Sequence, residues 1–180
     1  MSYFPLSGAF RMVPTDTYTI VRGCAGCGGK STYRCADRFR VNANGKRLDV
    51  WLIYRCERCK HTYNLPVYSR VLRDALSAEE YRALLANDPA AVARIGRDRA
   101  FFLRCGAQLG GELPYRLSRL PDRAGEEGLW VQNPGRIRVR PDKLLSQCLE
   151  IPRARAKALL KGGEVVAEAT EDGWRFTSAR

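Results

Sequence analysis

The sequence predicts an α+β fold in three parts, and three observations predict it. Two cysteine dyads, Cys24-x-x-Cys27 and Cys56-x-x-Cys59, are separated by 28 residues and lie beside strand-like sequence. Helix-start signals recur between residues 77 and 104, and a short basic strand from Arg136 then opens two helix-like stretches. The parts read as an N-terminal antiparallel zinc ribbon over 18–70, a helical segment and linker over 71–135, and a small C-terminal α/β domain over 136–180. An N-terminal tail covers 1–17.

The dyads carry the first part. Two residues between cysteines let both sulfurs converge on one ion, and four thiolates close one tetrahedral zinc site. Gly26, Gly28 and Gly29 allow the backbone angles such a knuckle needs. The second dyad has no glycine, so Glu57 and Arg58 must supply its turn. Buried thiols and a redox pair are the other readings, but a redox pair needs a dyad that opens a helix. Here Thr19–Arg22 and Leu48–Arg55 are strand-like. His61, the one histidine, reads as a rim residue of the site.

Residues 1–17 show no periodicity and include Pro5, Gly8 and Pro14, so they read as a tail leading into the first strand, without fixed structure of its own. Asn44-Gly45 marks a hairpin turn. A two-residue loop there opposes Val41 with Leu48, Arg40 with Asp49, Phe39 with Val50 and Arg38 with Trp51. Phe39, Val41, Leu48, Val50 and Leu52 then face the core. Arg38, Arg40, Asp49 and Trp51 share the other face, with Arg47 beside the turn. That face reads either as a cross-strand ion pair with a cation–π contact or as an arginine-aromatic platform for nucleotides. His61–Tyr68 is a returning strand ended by Pro66 or shortly after.

In the middle, Ser77 and Glu80 form a capping box and Asp88-Pro89 starts a second helix that Gly96 stops. A third runs from Arg97 to Arg104. Their apolar stripes read as core. Residues 106–135, with Gly106, Gly110, Gly111, Pro114, Pro121, Gly125, Gly128, Pro134 and Gly135, read as the domain boundary. Beyond the basic strand Arg136–Arg140, Asp142 caps one helix that buries Leu144, Leu145 and Leu149. Pro152 takes the first position of another that buries Ala156, Leu159 and Leu160. Arg153, Arg155 and Lys157 crowd its first turns, where the helix dipole disfavours cations, so either they form a solvated basic face or an anion such as phosphate belongs there.

The net charge is +12, and four thiolates around one Zn²⁺ would leave it at +10. Lys and Arg exceed Asp and Glu by eight over residues 1–70, balance them over 71–135, and exceed them by four over 136–180. Two basic segments around a neutral one point to a polyanion as partner. No apolar run approaches the ~18 residues of a membrane span, and no secretory signal opens the chain. A cytoplasmic protein without membrane association is expected. Seven cysteines, four in metal spacing, fit no disulfide framework, and Cys35, Cys105 and Cys148 read as small buried hydrophobes.

Arg140-Pro-Asp-Lys-Leu-Leu, Arg153-Ala-Arg-Ala-Lys, Leu159-Leu160 and Gly163-Glu-Val165 resemble the alpha-L RNA-binding motif first described in the fourth small-subunit ribosomal protein. The resemblance covers about thirty residues. It implies two helices on a small sheet and RNA contact by Arg153, Arg155 and Lys157, with Arg140, Lys143 and Lys161 flanking. Pro152 replaces that family's capping serine, and an Asp172-Gly173 turn comes later than its Val-Asn-Gly turn. Residues 20–70, above all the run from Arg38 to Cys56, resemble an uncharacterised bacterial family classed as a domain of unknown function. That resemblance implies the same ribbon and a chain that begins near Met12, so residues 1–11 are expected to be an extension or a misplaced start.

The leading expectation is a zinc-containing, non-enzymatic protein that binds structured RNA, ribosomal or transfer, through linked basic surfaces, with the ribosome as one candidate partner. A protein-protein interaction adaptor with the same ribbon is the alternative. Catalysis is not expected, because four cysteines leave zinc no open position.

Overall fold

The computed structural model describes residues 6–121 and 127–179; Pro5 and Gly125 lie outside them. The chain is mixed α+β with strands dominant, and it divides into two compact units, 16–113 and 1–15 with 114–180.

In the first unit β2 (Ile20–Cys24), β3 (Gly29–Asn44), β4 (Arg47–Cys56) and β5 (Thr62–Leu72) form an antiparallel sheet in that order. The β3–β4 turn centres on Gly45 and Lys46, with Asn44 opposite Arg47. Gly45 has φ +61 and stands first in the loop, where a type II′ turn wants glycine. The register therefore slides by two from the expected one, pairing Val41 with Val50, Asn42 with Asp49, and Arg40 rather than Arg38 with Trp51. A slide of two preserves the faces. Phe39, Leu48, Val50 and Leu52 are buried and Arg38 and Arg40 exposed. A bulge between Cys35 and Phe39 turns on Asp37 at φ +52. Pro66 does not stop β5, because an edge strand tolerates a missing donor.

The helices α1 (Ala78–Ala86) and α2 (Pro89–Gly96) start where the caps predict, and α3 (Arg99–Arg104) starts two residues later than expected because Asp98 caps it. Ser77, Asp88 and Asp98 each accept from a backbone N–H of the first turn. The Glu80 carboxylate does not complete the capping box; it accepts from the Tyr68 hydroxyl and Arg94. The core packs Phe102 edge-on against Tyr18 and Tyr54, and the Tyr54 hydroxyl donates to the Tyr18 carbonyl at 2.9 Å.

The second unit holds a five-stranded sheet, β6-β1-β7-β9-β8. Ser7–Pro14, expected to be tail, is β1, antiparallel to β6 (Tyr115–Leu120) and parallel to β7 (Gly128–Gln132). Residues expected to be linker thus supply two strands. All three strands are short and lack a clean alternation, and each exists through partners distant in sequence, which local composition does not encode. The hairpin β8 (Val165–Thr170) and β9 (Gly173–Ser178) completes the sheet. Gly173 opens β9 at φ +149, and a Cβ there would sit on the Val131 carbonyl oxygen.

Arg136–Arg140 forms no strand. Ile137 and Val139 are buried and the arginines exposed, but the Asn133 side chain supplies the Ile137 hydrogen bonds on both sides, at 2.8 and 2.9 Å. The helices α4 (Pro141–Cys148) and α5 (Arg153–Lys161) bury Leu144, Leu145, Ala156 and Leu159. Arg140, not Asp142, is the N-cap of α4, since Pro141 opens that helix. Pro152 is the N-cap of α5 rather than its first residue.

Candidate metal centre and basic surfaces

Sheet register builds the metal centre. Cys24 ends β2 opposite Gly29, and Cys56 ends β4 opposite Tyr33, so both hairpin ends arrive at the same end of the sheet. Each chain then makes a knuckle. Gly28 N donates to the Cys24 carbonyl at 2.9 Å, and Lys60 N donates to the Cys56 carbonyl at 3.0 Å. The left-handed residue of each knuckle follows its second cysteine, Gly28 at φ +70 and Lys60 at φ +63. Glu57 and Arg58 lie in the second turn as expected, and Lys60 after it takes the left-handed conformation that glycine takes in the first knuckle. Gly26 serves differently, because its bare Cα faces Cys59 and a Cβ would stand 2.9 Å from that sulfur.

The four Sγ atoms all lie within 4.8 Å of one another, an arrangement that can bind a metal ion. Cys24 is 3.4 Å from Cys59 and Cys27 is 3.8 Å from Cys56, so sulfurs of the two knuckles approach each other directly. Two hydroxyls of β3, two residues apart on one face, support the first cysteine of each dyad. The Ser31 hydroxyl lies 3.1 Å from the Cys56 sulfur, and the Tyr33 hydroxyl acts on Cys24 electrostatically. Both residues are buried. Composition alone does not flag them, but their alternation directly after the first dyad is a usable signal.

Electrostatics match this geometry. Backbone N–H donation from Cys59, then the Ser31 hydroxyl, lowers the Cys56 thiol to about 6. The Tyr33 hydroxyl lowers Cys24. Cys27 is pushed up to about 12, first by its hydrogen bond with Cys59 and then by burial. Clustered thiolates resist ionising together, and a divalent cation removes that conflict. Arg22 adds positive charge on the same face, opposite Ser31 in the register, with its guanidinium 3.4 Å from the Tyr63 ring centroid. His61 is exposed and enters through its carbonyl, which accepts from Cys56 N at 2.9 Å.

The basic candidates fall in both units. In 16–113, the Arg40 guanidinium lies 5.7 Å from the Trp51 ring centroid, Arg38 is exposed at the bulge, and Arg47 donates to the Arg70 carbonyl at 2.7 Å. In the other unit Arg140, Arg155, Lys157 and Lys161 are exposed, while Lys143 is half-buried with its ammonium 5.6 Å from the Tyr115 ring. Arg153 donates to the Asp142 carboxylate at 2.8 Å, which holds that carboxyl below its usual range.

A family model described as a protein of unknown function (DUF1062) matches residues 41–171, a span that takes in the second dyad and both α4 and α5. No curated protein and no solved structure matches the chain. No helix among the described residues is long and apolar enough to cross a membrane.

Proposed function

The chain belongs to the DUF1062 family of proteins of unknown function, and from that premise we propose that it is a zinc-stabilised protein that binds structured RNA. Zinc follows from the donor set. Four thiolates favour a borderline-soft ion, and sulfurs about 2.3 Å from zinc stand about 3.8 Å apart in a tetrahedron. The 3.4 and 3.8 Å separations accord with that figure. The metal would close the knuckles and hold the ends of two hairpins, so its role is folding rather than chemistry.

The observation that carries the RNA reading is α5. Its sequence Arg-Ala-Arg-Ala-Lys-Ala-Leu-Leu-Lys has four cations and no acid. Arg153, Lys157 and Lys161 recur at i, i+4 and i+8 along one side, a row suited to successive phosphates. The order α4, α5, β8, β9 accords with the alpha-L motif of ribosomal proteins, and Arg40 over Trp51 offers a stacking surface in the other unit. Ribosomal or transfer RNA is the favoured partner, because a helix lying on structured RNA uses such a row.

The test combines elemental analysis of reduced protein with RNA binding measured across a salt series. One zinc per chain is expected. The pair Arg155→Glu and Lys157→Glu should weaken binding and lower the log–log salt slope by roughly 0.7–0.9 for each phosphate the helix no longer touches. Unchanged affinity and slope would refute the RNA assignment, and a nuclease-resistant protein partner at equal stoichiometry would favour an adaptor instead.

A further inference from the structure

A hollow of about 150 Å³ opens in the unit formed by 1–15 and 114–180, where β7 meets the β8–β9 turn. Trp130, Trp174, Gln132, Thr170, Glu171 and Asp172 line it. Its origin is in the register. Gly173 stands between Gln132 of β7 and Thr170 of β8, so the register sets the turn residues Glu171 and Asp172 beside the end of β7.

The lining has a definite chemistry. The Trp130 indole supplies flat apolar surface, with the Arg175 guanidinium 4.7 Å from its ring centroid, while Trp174 faces the other side of the sheet beside Val131; Glu171 and Asp172 supply acceptors only. Arg11 donates to the Gln132 side-chain oxygen at 2.9 Å, which fixes the amide and leaves its NH₂ as a donor. Acidic groups here stand out in a chain of net charge +12. The surroundings are basic: Asn133 N donates to the Asp172 carbonyl at 2.6 Å, and the Asn133 side chain anchors the loop of exposed Arg136, Arg138 and Arg140.

Aromatic surface beside carboxylates suits a planar group rich in donors, either a guanidinium or a nucleobase. The arginine loop decides between them, because it repels a cationic peptide and attracts a base that carries phosphates. Among the four bases, guanine alone offers two adjacent donor groups on its Watson–Crick edge, N1–H and N2–H, to match the two oxygens of one carboxylate. The geometry points to this hollow as a guanine site for an unpaired nucleotide of RNA. A carboxylate of Glu171 or Asp172 reads the base edge, and the 136–140 arginines hold the flanking phosphates. This assignment rests on the RNA-binding reading above.

The experiment uses the full, metal-loaded protein and labelled ten-nucleotide uridine tracts carrying one central guanine, adenine or inosine, with anisotropy read at fixed salt. The guanine tract should bind roughly five- to a hundredfold more tightly than the adenine tract. Inosine, which lacks the N2 amine, should lose most of that preference. The double variant Glu171→Gln, Asp172→Asn, with folding checked by circular dichroism, should bring the ratio of guanine-tract to adenine-tract affinity to one, while affinity for plain uridine tracts does not fall, because two negative charges are removed. Equal binding of guanine and adenine tracts overturns the assignment, as does a preference that survives the double variant. Tighter binding of an arginine-containing peptide, abolished in the double variant, overturns it in favour of a cationic ligand. If RNAs bind without base preference only the guanine site fails, whereas if no RNA binds even at low salt the RNA-binding reading fails with it.

Discussion

Gly26→Ala tests the metal centre with a single methyl group. An added Cβ would stand 2.9 Å from the Cys59 sulfur, whereas non-bonded heavy atoms keep to about 3.5 Å or more. The sulfur must then withdraw by roughly 0.6 Å, while metal–ligand distances tolerate about 0.2 Å. Cys59 is exposed, so it can swing away without disturbing the core, and the site loses its fourth ligand rather than its fold. Metal affinity should fall at least tenfold, or ~1.4 kcal/mol. Competition with a chromogenic chelator measures this, and the cobalt-substituted spectrum reports the change in coordination. Gly23→Ala is the control, because nothing lies within 4 Å of a Cβ there. If Gly26→Ala holds zinc as tightly as Gly23→Ala does, the convergence of Cys59 on a shared ion is wrong.

Three further outcomes follow from the packing and the thiols. Tyr54→Phe leaves the Tyr18 carbonyl without its donor in a buried setting, which should cost about 1–3 kcal/mol in urea unfolding; a cost near zero would mean that water replaces the hydroxyl. Gly173→Ala meets both a positive φ and the Val131 carbonyl, and should destabilise its unit by about 1–3 kcal/mol or more, read as a lowered midpoint for the Trp130 and Trp174 fluorescence transition. In reduced, metal-free protein, the depressed Cys56 thiol contributes stability that is present above its ordinary value of 9.0 and lost as pH falls through about 6. The raised Cys27 thiol contributes stability that is present below 9.0 and lost as pH rises towards about 12. The urea midpoint of that form should therefore climb from pH 6 to 9, and a decline over that window would contradict the hydrogen bonding assigned to Ser31 and Cys59.

The elements legible in the sequence are those whose signals are local. Ser77 and Asp88 mark helix starts because an N-cap is satisfied within its own first turn, whereas the third helix, capped by Asp98, starts two residues later than the sequence reading places it. The two dyads mark a cluster because both knuckles are local, and the strands between them only have to return to one sheet end. The hairpin faces survive a register error because Gly45 can serve at either central position and the slide is even. β1, β6 and β7 stay hidden for the opposite reason. β1 draws its hydrogen bonds from residues more than a hundred positions away, and glycines and prolines beside β6 and β7 imitate a linker. Ser31 and Tyr33 escape notice because hydroxyls near a thiolate look like ordinary strand residues until the register brings them onto the sulfurs.

The cations of α5 show where a local argument needs a tertiary correction. Basic residues at a helix N-terminus oppose the dipole, so Arg153, Arg155 and Lys157 together imply an anion. For Arg153 that anion is within the chain: Asp142 of α4 accepts from its guanidinium at 2.8 Å. Half of the Arg153 side chain is exposed, and an ion pair of that kind is worth only about 0–1 kcal/mol. A phosphate can therefore share Arg153, yet replacing Arg153 also removes the Asp142 pair and alters how α5 begins. Arg155 and Lys157 are exposed on α5, whose first turn contains no acid. Charge reversal at those two positions therefore separates RNA contact from helix pairing, and Arg153→Glu does not. If the Arg155 and Lys157 variant keeps its thermal midpoint and loses RNA, the exposed cations of α5 are an interface. If it instead gains stability while RNA binding is unchanged, the dipole penalty was being borne for some purpose other than RNA.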